Sequence, residues 1–168
     1  MRPSKVFSVL FVCTGNTCRS PMAEVMLRAA LAEARETEGS VEVKVASAGT
    51  DASPGERVSE QAIAALERLG LPASGRRARR LTDRRVRAAD LVLTMTEAQK
   101  HRICEHWPEA RAKTFVISEF SGSDRPGIQD PIGGSERVYG ACARELRAEI
   151  TRLVPRLARR LKERRAGR

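Results

Sequence analysis

Aromatic side chains are scarce in this chain: one Trp, one Tyr and four Phe among 168 residues. That scarcity argues against a surface that holds bases or rings by stacking. There are two histidines, His101 and His106. Both fall in or just after a predicted helical stretch far from the motifs below, so a carboxylate is the better candidate for any acid–base step. Four cysteines without framework spacing exclude a disulfide-stapled scaffold and predict a reducing, cytoplasmic setting. No apolar run reaches the length of a membrane span, and the start lacks the cationic, apolar and cleavage regions of a secretory signal. The nucleotide-loop pattern G-x-x-x-x-G-K-[ST] is absent. There are no internal repeats.

What is abundant is arginine. The chain has 31 basic and 21 acidic residues, net +10, and 26 of the 31 are Arg. Two clusters stand out, Arg76 to Arg87 and Arg152 to Arg168. A basic funnel for anionic substrates or nucleic acid is one reading. Solvated helix faces in an Arg-biased composition are the favoured one, because no aromatics interleave the clusters.

The length predicts one domain, residues 1–168, with a basic end that frays from about Glu163. Strand and helix signals alternate. Lys5 to Val12 reads as a buried strand, Pro21 to Thr37 as a helix, and Val41 to Ser47 as an edge strand. Val58 to Leu69 is a helix stopped by Gly70, and Arg85 to Ala89 a short turn. Asp90 to Met95 is a strand, Thr96 to Glu105 a helix, and Lys113 to Ile117 a short strand. Ser121 to Ser135 is a polar loop. A long helix follows, with Val138, Cys142, Leu146, Ile150, Leu153, Leu157 and Leu161 on one stripe and Pro155 kinking it or ending it near Val154. The fold class is therefore α/β: a doubly wound, four-stranded parallel sheet with helices on both faces. Ligands of such folds bind at the carboxyl ends of the strands.

The first strand runs into Cys13-Thr14-Gly15-Asn16-Thr17-Cys18-Arg19-Ser20, and Pro21 then suits the first turn of a helix. A tight loop between strand and helix aims several backbone N–H groups at one spot, and the helix N-terminus adds partial positive charge. That spot suits a phosphate-like anion. Cys13 is the candidate nucleophile, since N–H donors and Arg19 stabilise an ionised sulfur. Arg19 can fork two N–H bonds onto phosphate oxygens. Gly15 and Asn16 tolerate the positive φ that inward-facing amides need. Ser20 can donate to the sulfur or cap the helix. A buried structural cysteine is the alternative for a lone Cys, but Cys and Arg six apart at a strand-to-helix junction favour catalysis.

These residues resemble the low-molecular-weight protein tyrosine phosphatases, with their C-x(5)-R-S signature after the first strand. Within that superfamily the chain is most similar to the bacterial protein-arginine phosphatases. Supporting stretches are Ser20-Pro21-Met22-Ala23-Glu24, Ser47-Ala48-Gly49-Thr50, Leu93-Thr94-Met95-Thr96 and Asp130-Pro131-Ile132-Gly133-Gly134-Ser135. On residues alone, Asp130-Pro131 starts a turn or delivers an acid with equal weight. The resemblance makes Asp130 the general acid that protonates the leaving group and then activates water. It implies a cofactor-free, metal-free phosphatase working through a phosphocysteine on phosphorylated proteins, with the loop residues Thr14, Gly15, Asn16, Thr17, Cys18 and Ser20 binding substrate and Ile132 at the rim. A monomer is expected, and the missing apolar run and missing interleaved aromatics leave neither membrane nor nucleic acid as a partner.

Two observations favour phosphoarginine over phosphotyrosine. Thr17 stands where tyrosine phosphatases of the family carry a larger aliphatic residue, and its hydroxyl suits a planar, polar guanidinium. Ile132-Gly133-Gly134 stands where they carry ring-flanking aromatics. Three alternatives stay open or fall. A tyrosine phosphatase is the runner-up. A non-catalytic anion- or nucleic-acid-binding module predicts damage to Cys13, Arg19 or Asp130, and all three are present. A thioredoxin-coupled arsenate reductase needs resolving cysteines where Leu93 to Glu97 stand, and there are none. In relatives, cysteines placed as Cys13 and Cys18 form a reversible disulfide; plain packing is the other reading of Cys18. The family's loop-bracing His is missing, and Arg76 stands at about its place, able to donate to the Asn16 amide oxygen.

Overall fold

The computed structural model describes residues 6–35, 42–73 and 75–167. Lys5, Glu36, Thr37, Val41 and Arg168, assigned above to elements or clusters, lie outside the described residues. The chain runs β1 (Val6–Cys13), α1 (Arg19–Arg35), β2 (Glu42–Gly49), α2 (Glu60–Arg68), α3 (Asp83–Ala88), β3 (Leu91–Thr94), α4 (Glu97–His106), a 3-10 turn (Pro108–Lys113), β4 (Thr114–Val116), α5 (Ile117–Ser121) and α6 (Glu136–Ala166).

The four strands form one parallel sheet in the order β2-β1-β3-β4. Alternation along β1 explains why helices cover both faces. Phe7, Val9 and Phe11 join one buried cluster with Met22 and Leu27 of α1 and Leu146 and Leu153 of α6. Leu10 and Val12 join the other, with Val86 of α3 and Ile103 of α4. A strand buried on both faces reads as a continuous apolar run, as β1 does. The sheet order changes direction beside β1, so the end of β1 opens into the crevice where ligands of such folds sit.

Several local expectations change. Helix α1 begins at Arg19, so Pro21 is its third residue, still within the first turn where a missing N–H costs nothing. Ser20 lies inside the helix and does not cap it. Pro155 does not end α6, which continues for 31 residues. Proline at 155 leaves the carbonyl of Thr151 without its helical donor, and both residues are exposed, so water can donate to that carbonyl. The helix persists through Ala166, with Arg164 ion-paired to Asp90 at 3.0 Å and stacked over Phe7. Val138 leaves the expected stripe and is exposed, while Tyr139 turns inward. Ile117, expected to end the fourth strand, and Ser121, expected to open the polar loop, instead bound a short helix, stopped by Gly122 in the left-handed region at φ 74°. Arg76 to Arg80 is not a helix face: it lies in extended segments bridged to Arg57 and Gly49.

Candidate active site

The phosphate loop begins where β1 ends. Cys13 is buried, and its Sγ lies 2.9 Å from Ser20 Oγ and accepts the Asn16 N–H at 3.3 Å. Asn16 Nδ2 donates to the same Ser20 Oγ at 2.8 Å. Because Ser20 Oγ already accepts that bond, its own proton is free to point at the sulfur. Two donors thus converge on Cys13, and both stabilise a negative sulfur.

Asn16 takes φ 55°, the left-handed region, which costs a non-glycine residue of order 1 kcal/mol. Its amide offsets that strain. Oδ1 accepts the Arg79 backbone N–H at 2.8 Å while Nδ2 reaches Ser20. The expected brace from Arg76 is therefore corrected. Arg76 Nη1 pairs instead with Glu24 Oε1 at 2.7 Å, and the backbone of Arg79 does the bracing. Glu24 is buried, is also approached by Arg28 at 2.9 Å, and accepts from Ser47 Oγ at 2.6 Å. A buried carboxylate needs such partners.

Four further contacts hold the loop. Thr50 donates its N–H to the Cys13 carbonyl at 3.0 Å, and Asp51 donates to the Thr14 carbonyl at 2.9 Å. Ser59, the N-cap of α2, donates its N–H to the Thr17 carbonyl at 2.9 Å. Gln99 of α4 donates Nε2 to Thr14 Oγ1 at 3.1 Å, while its Oε1 accepts from Met95 and Thr96 N–H. Gly49 is required by close approach. A Cβ there would sit 2.5 Å from the Thr14 carbonyl oxygen and 2.9 Å from Asn16 N.

Cys18 Sγ lies 3.4 Å from Tyr139 Oη and 3.6 Å from Ser59 Oγ, and 3.7 Å from Thr17 Oγ1. Tyr139 thereby ties α6 to the loop. Burial and the neighbouring Cys18 push its phenol up to about 12. Cys142, one turn along α6, is likewise pushed up to about 12 by burial. Thr14 is exposed, while Gly15 and Thr17 are half-buried at the mouth.

Arg19 is buried and donates Nη1 to the Ile128 carbonyl and Nη2 to Asp130 Oδ2, both at 3.0 Å. Asp130 Oδ1 accepts the Ile132 N–H at 3.1 Å. The loop that carries Asp130 is fastened at two places. Ile128 N–H bonds the Met95 carbonyl at 2.8 Å, beside Gly127 at φ 130°, where a Cβ would collide with that carbonyl. Upstream, the buried Glu149 carboxylate accepts from Ser121 Oγ and, at 2.8 Å, from Ser123 Oγ. Ile132 is 72% exposed, followed by Gly133 and Gly134, so no ring lies directly beyond Asp130-Pro131.

Contacts of 2.8 to 3.3 Å thus join Cys13, Asn16 and Ser20, and a bond of 3.0 Å joins Arg19, next to Ser20 in the chain, to Asp130. Tyr139, Gln99, Gly49 and the Arg79 backbone were not singled out by sequence reasoning. Gly49 carried a signal, lying at a strand end in a quoted stretch. The others have none, because their roles arise only where α6, α4 and the 76–81 segment meet the loop.

Residues 8–165 match the family model described as low molecular weight phosphotyrosine protein phosphatase. A protein-arginine-phosphatase of Geobacillus stearothermophilus is 41% identical over 151 residues, 90% of this chain and 96% of that protein. A low molecular weight protein-tyrosine-phosphatase of Acinetobacter johnsonii is 34% identical over 119 residues, 71% of this chain and 78% of that protein. Among solved structures, a Cys-to-Ser mutant of the arginine phosphatase YwlE with a phosphorylated active-site serine superposes with a TM-score of 0.83. It is 34% identical, covering 92% of this chain and 99% of that one. The chain belongs to the low molecular weight phosphotyrosine protein phosphatase family.

Proposed function

We propose that this protein is a cysteine-dependent phosphoprotein phosphatase that hydrolyses phosphoarginine in proteins through a phosphocysteine. Cys13 Sγ attacks phosphorus and the P–N bond breaks. Asp130 gives its proton to the departing guanidine nitrogen, which a poor leaving group requires. Asp130 then takes a proton from water as that water attacks the S–P bond, releasing inorganic phosphate and regenerating the thiolate. Arg19 and the loop amides hold the equatorial oxygens. The observation that carries the reading is the convergence of Ser20 Oγ and the Asn16 N–H on Cys13 Sγ, with Arg19 hydrogen-bonded to Asp130.

The preference for arginine rests on Thr17 and on the rim. The single tyrosine is buried in α6, and Asp130-Pro131 is followed by an exposed Ile132 and two glycines. A phosphotyrosine phosphatase is the second reading, favoured by the tyrosine-phosphatase relative. Matched phosphoarginine and phosphotyrosine peptides decide between them. Faster phosphate release from the tyrosine peptide overturns the arginine assignment. No release from either, with Cys13→Ser binding phosphate like wild type, favours the non-catalytic module. Thr17→Ile is expected to shift preference toward phosphotyrosine; an equal fall in both rates makes Thr17 a loop-shaping residue only.

We also infer a monomer in the reducing cytoplasm, in keeping with four free thiols and, among the described residues, no helix long and apolar enough to cross a membrane. Cys18 resolves an oxidised Cys13 as a disulfide in this reading. Peroxide treatment then lowers the mass by two hydrogens, and Cys18→Ser abolishes that change.

A further inference from the structure

The arginine cluster that begins at Arg76 is built into the wall of the phosphate loop. Residues 55–58 and 76–78 form a short antiparallel ribbon: Ala78 donates its N–H to the Glu56 carbonyl at 2.7 Å and Gly55 to the Ala78 carbonyl at 3.0 Å, with Arg57 bridged to Arg77. The chain then runs along the free edge of β2, where Gly49 N–H bonds the Arg79 carbonyl at 2.9 Å and Leu81 N–H the Gly49 carbonyl at 2.8 Å. The ribbon touches the loop at Asn16, through the Arg79 N–H, and its 55–58 strand leads into Ser59, which bonds the Thr17 carbonyl.

Arg57, Arg77, Arg79 and Arg80 on this ribbon are all exposed. Among the described residues none of the four makes a salt bridge; Arg80 acts on Asp51 only through space, and the Arg77 guanidinium donates only to the Gly55 carbonyl. The nearby acids do not balance them. Asp51 is held by two bonds from Arg102, which keep its carboxyl below the usual range, and Glu24 is held by Arg28 and Arg76. Glu56 alone remains on the ribbon. Arg57 and Arg77 face each other across the two strands, and like charges directly opposite destabilise a strand pair. Local rules are broken in this way where a surface has a ligand to meet. Next to the ribbon, Arg80, Thr50, Arg102 and Trp107 border a cavity of about 370 Å³, whose one carboxylate, Asp83, is paired with Arg87 at 2.9 Å. The Thr50 in that wall is the residue bonded to the Cys13 carbonyl. The opposite rim presents the Asp130 carboxylate, already paired with Arg19, and the exposed Ile132.

We infer that this ribbon is a substrate-docking surface for an acidic segment of the phosphoprotein, flanking the phosphorylated residue on one side only. Carboxylates of the bound chain lie over the guanidiniums of Arg57, Arg77, Arg79 and Arg80, and one acidic side chain enters the cavity beside Arg80. Charge complementarity selects the partner, and the gain appears mainly in encounter rate and salt dependence. Nucleic acid is the less suited polyanion, since the ribbon itself carries no aromatic residue and Trp107, in the wall of the neighbouring cavity, is a single ring rather than a stacking series.

The inference rests on the phosphatase reading, and the test separates the two. Phosphoarginine peptides with Glu, Ser or Lys flanks on either side are compared at low and high salt, and the same flank series is made with phosphotyrosine. Turnover of p-nitrophenyl phosphate, too small to span the ribbon, normalises each variant. Glu flanks on one side are expected to raise kcat/KM about tenfold over Ser at low salt, with the gain lost at high salt, as steering effects of this size behave. Arg57→Glu/Arg77→Glu is expected to invert the order, so that Lys flanks become the better ones; a mere folding defect lowers all flanks alike. If only phosphotyrosine peptides turn over but keep the Glu preference, the arginine assignment fails and the ribbon stands. Flank-independent rates in both series overturn the ribbon. So does duplex DNA that binds more tightly than the Glu peptides and loses its affinity in the double variant.

Discussion

Arg19 donates Nη2 to Asp130 Oδ2 at 3.0 Å across 111 residues of chain, so the anion-holding guanidinium and the acid of the proposed reaction are held by one bond. A phosphoryl oxygen arriving at Arg19 competes with the carboxylate for that N–H. The competition has a measurable signature.

Asp130→Asn is expected to lower kcat on phosphoarginine peptides by about 10²- to 10⁴-fold, the range for losing a positioned general acid. The loss should be smaller on p-nitrophenyl phosphate, whose leaving group needs less protonation. Inorganic phosphate should inhibit the variant more tightly than wild type, because a competing, repelling carboxylate has gone. Steady-state kinetics with phosphate as competitor read all three. Equal losses on both substrates would remove Asp130 from leaving-group protonation.

Gly49 lies outside the phosphate loop yet sets its shape. A methyl group at Gly49→Ala must push away the Thr14 carbonyl and the Asn16 N–H, and the latter is one of the two donors to Cys13. Overpacking of this kind costs about 1 to 3 kcal/mol of stability. Turnover should suffer more than stability does, because the displaced atoms are those that hold the sulfur. Denaturant unfolding and vanadate inhibition measured on the same preparation separate the two losses. Unchanged vanadate affinity beside lowered stability would mean that the loop tolerates the shift.

How much of this was legible in sequence follows from range. The loop residues Cys13 to Ser20 are consecutive, and their surroundings, an apolar strand and Pro21, are local signals. The parallel sheet and the double burial of β1 follow from alternating elements, whereas the strand order β2-β1-β3-β4 appears only in the structure. Arg79 is different: what it gives the site is its backbone N–H, and any residue but proline supplies that. No residue type could have marked it, and the search for a side-chain brace pointed to Arg76. Tyr139 falls within the long helix that the pattern predicts after Ser135, off the stripe named for it. The helix pattern was right, but only packing of α6 on the loop decides that residue 139 faces Cys18 while Val138 faces solvent.

Asn16→Ala and Arg76→Ala test that correction together. Asn16→Ala removes two hydrogen bonds and leaves a left-handed φ without its polar offset. It should cost about 2 to 3 kcal/mol, at roughly 1 kcal/mol per bond plus strain, and should lower kcat strongly. Arg76→Ala takes one of two cations from the buried Glu24 and should destabilise the fold while leaving kcat within a few-fold of wild type. If Arg76→Ala lowered kcat as much as Asn16→Ala, the brace would run through its side chain after all.

Tyr139 is the single tyrosine, so its ionisation can be read by near-ultraviolet absorbance without assignment. Its folded value of about 12 lies above the ordinary 10.0, because burial disfavours the phenolate and Cys18 lies beside the hydroxyl. A group raised on folding contributes stability that is fully present below pH 10 and is lost as pH climbs from 10 toward 12. Absorbance from tyrosinate should therefore stay low through pH 10 and rise only near 12 or together with loss of helical circular dichroism, whichever comes first. In denaturant the same residue should titrate near its ordinary value. Tyrosinate half-formed at pH 10 with the helices intact would show that the hydroxyl is solvated, and that α6 does not clasp Cys18.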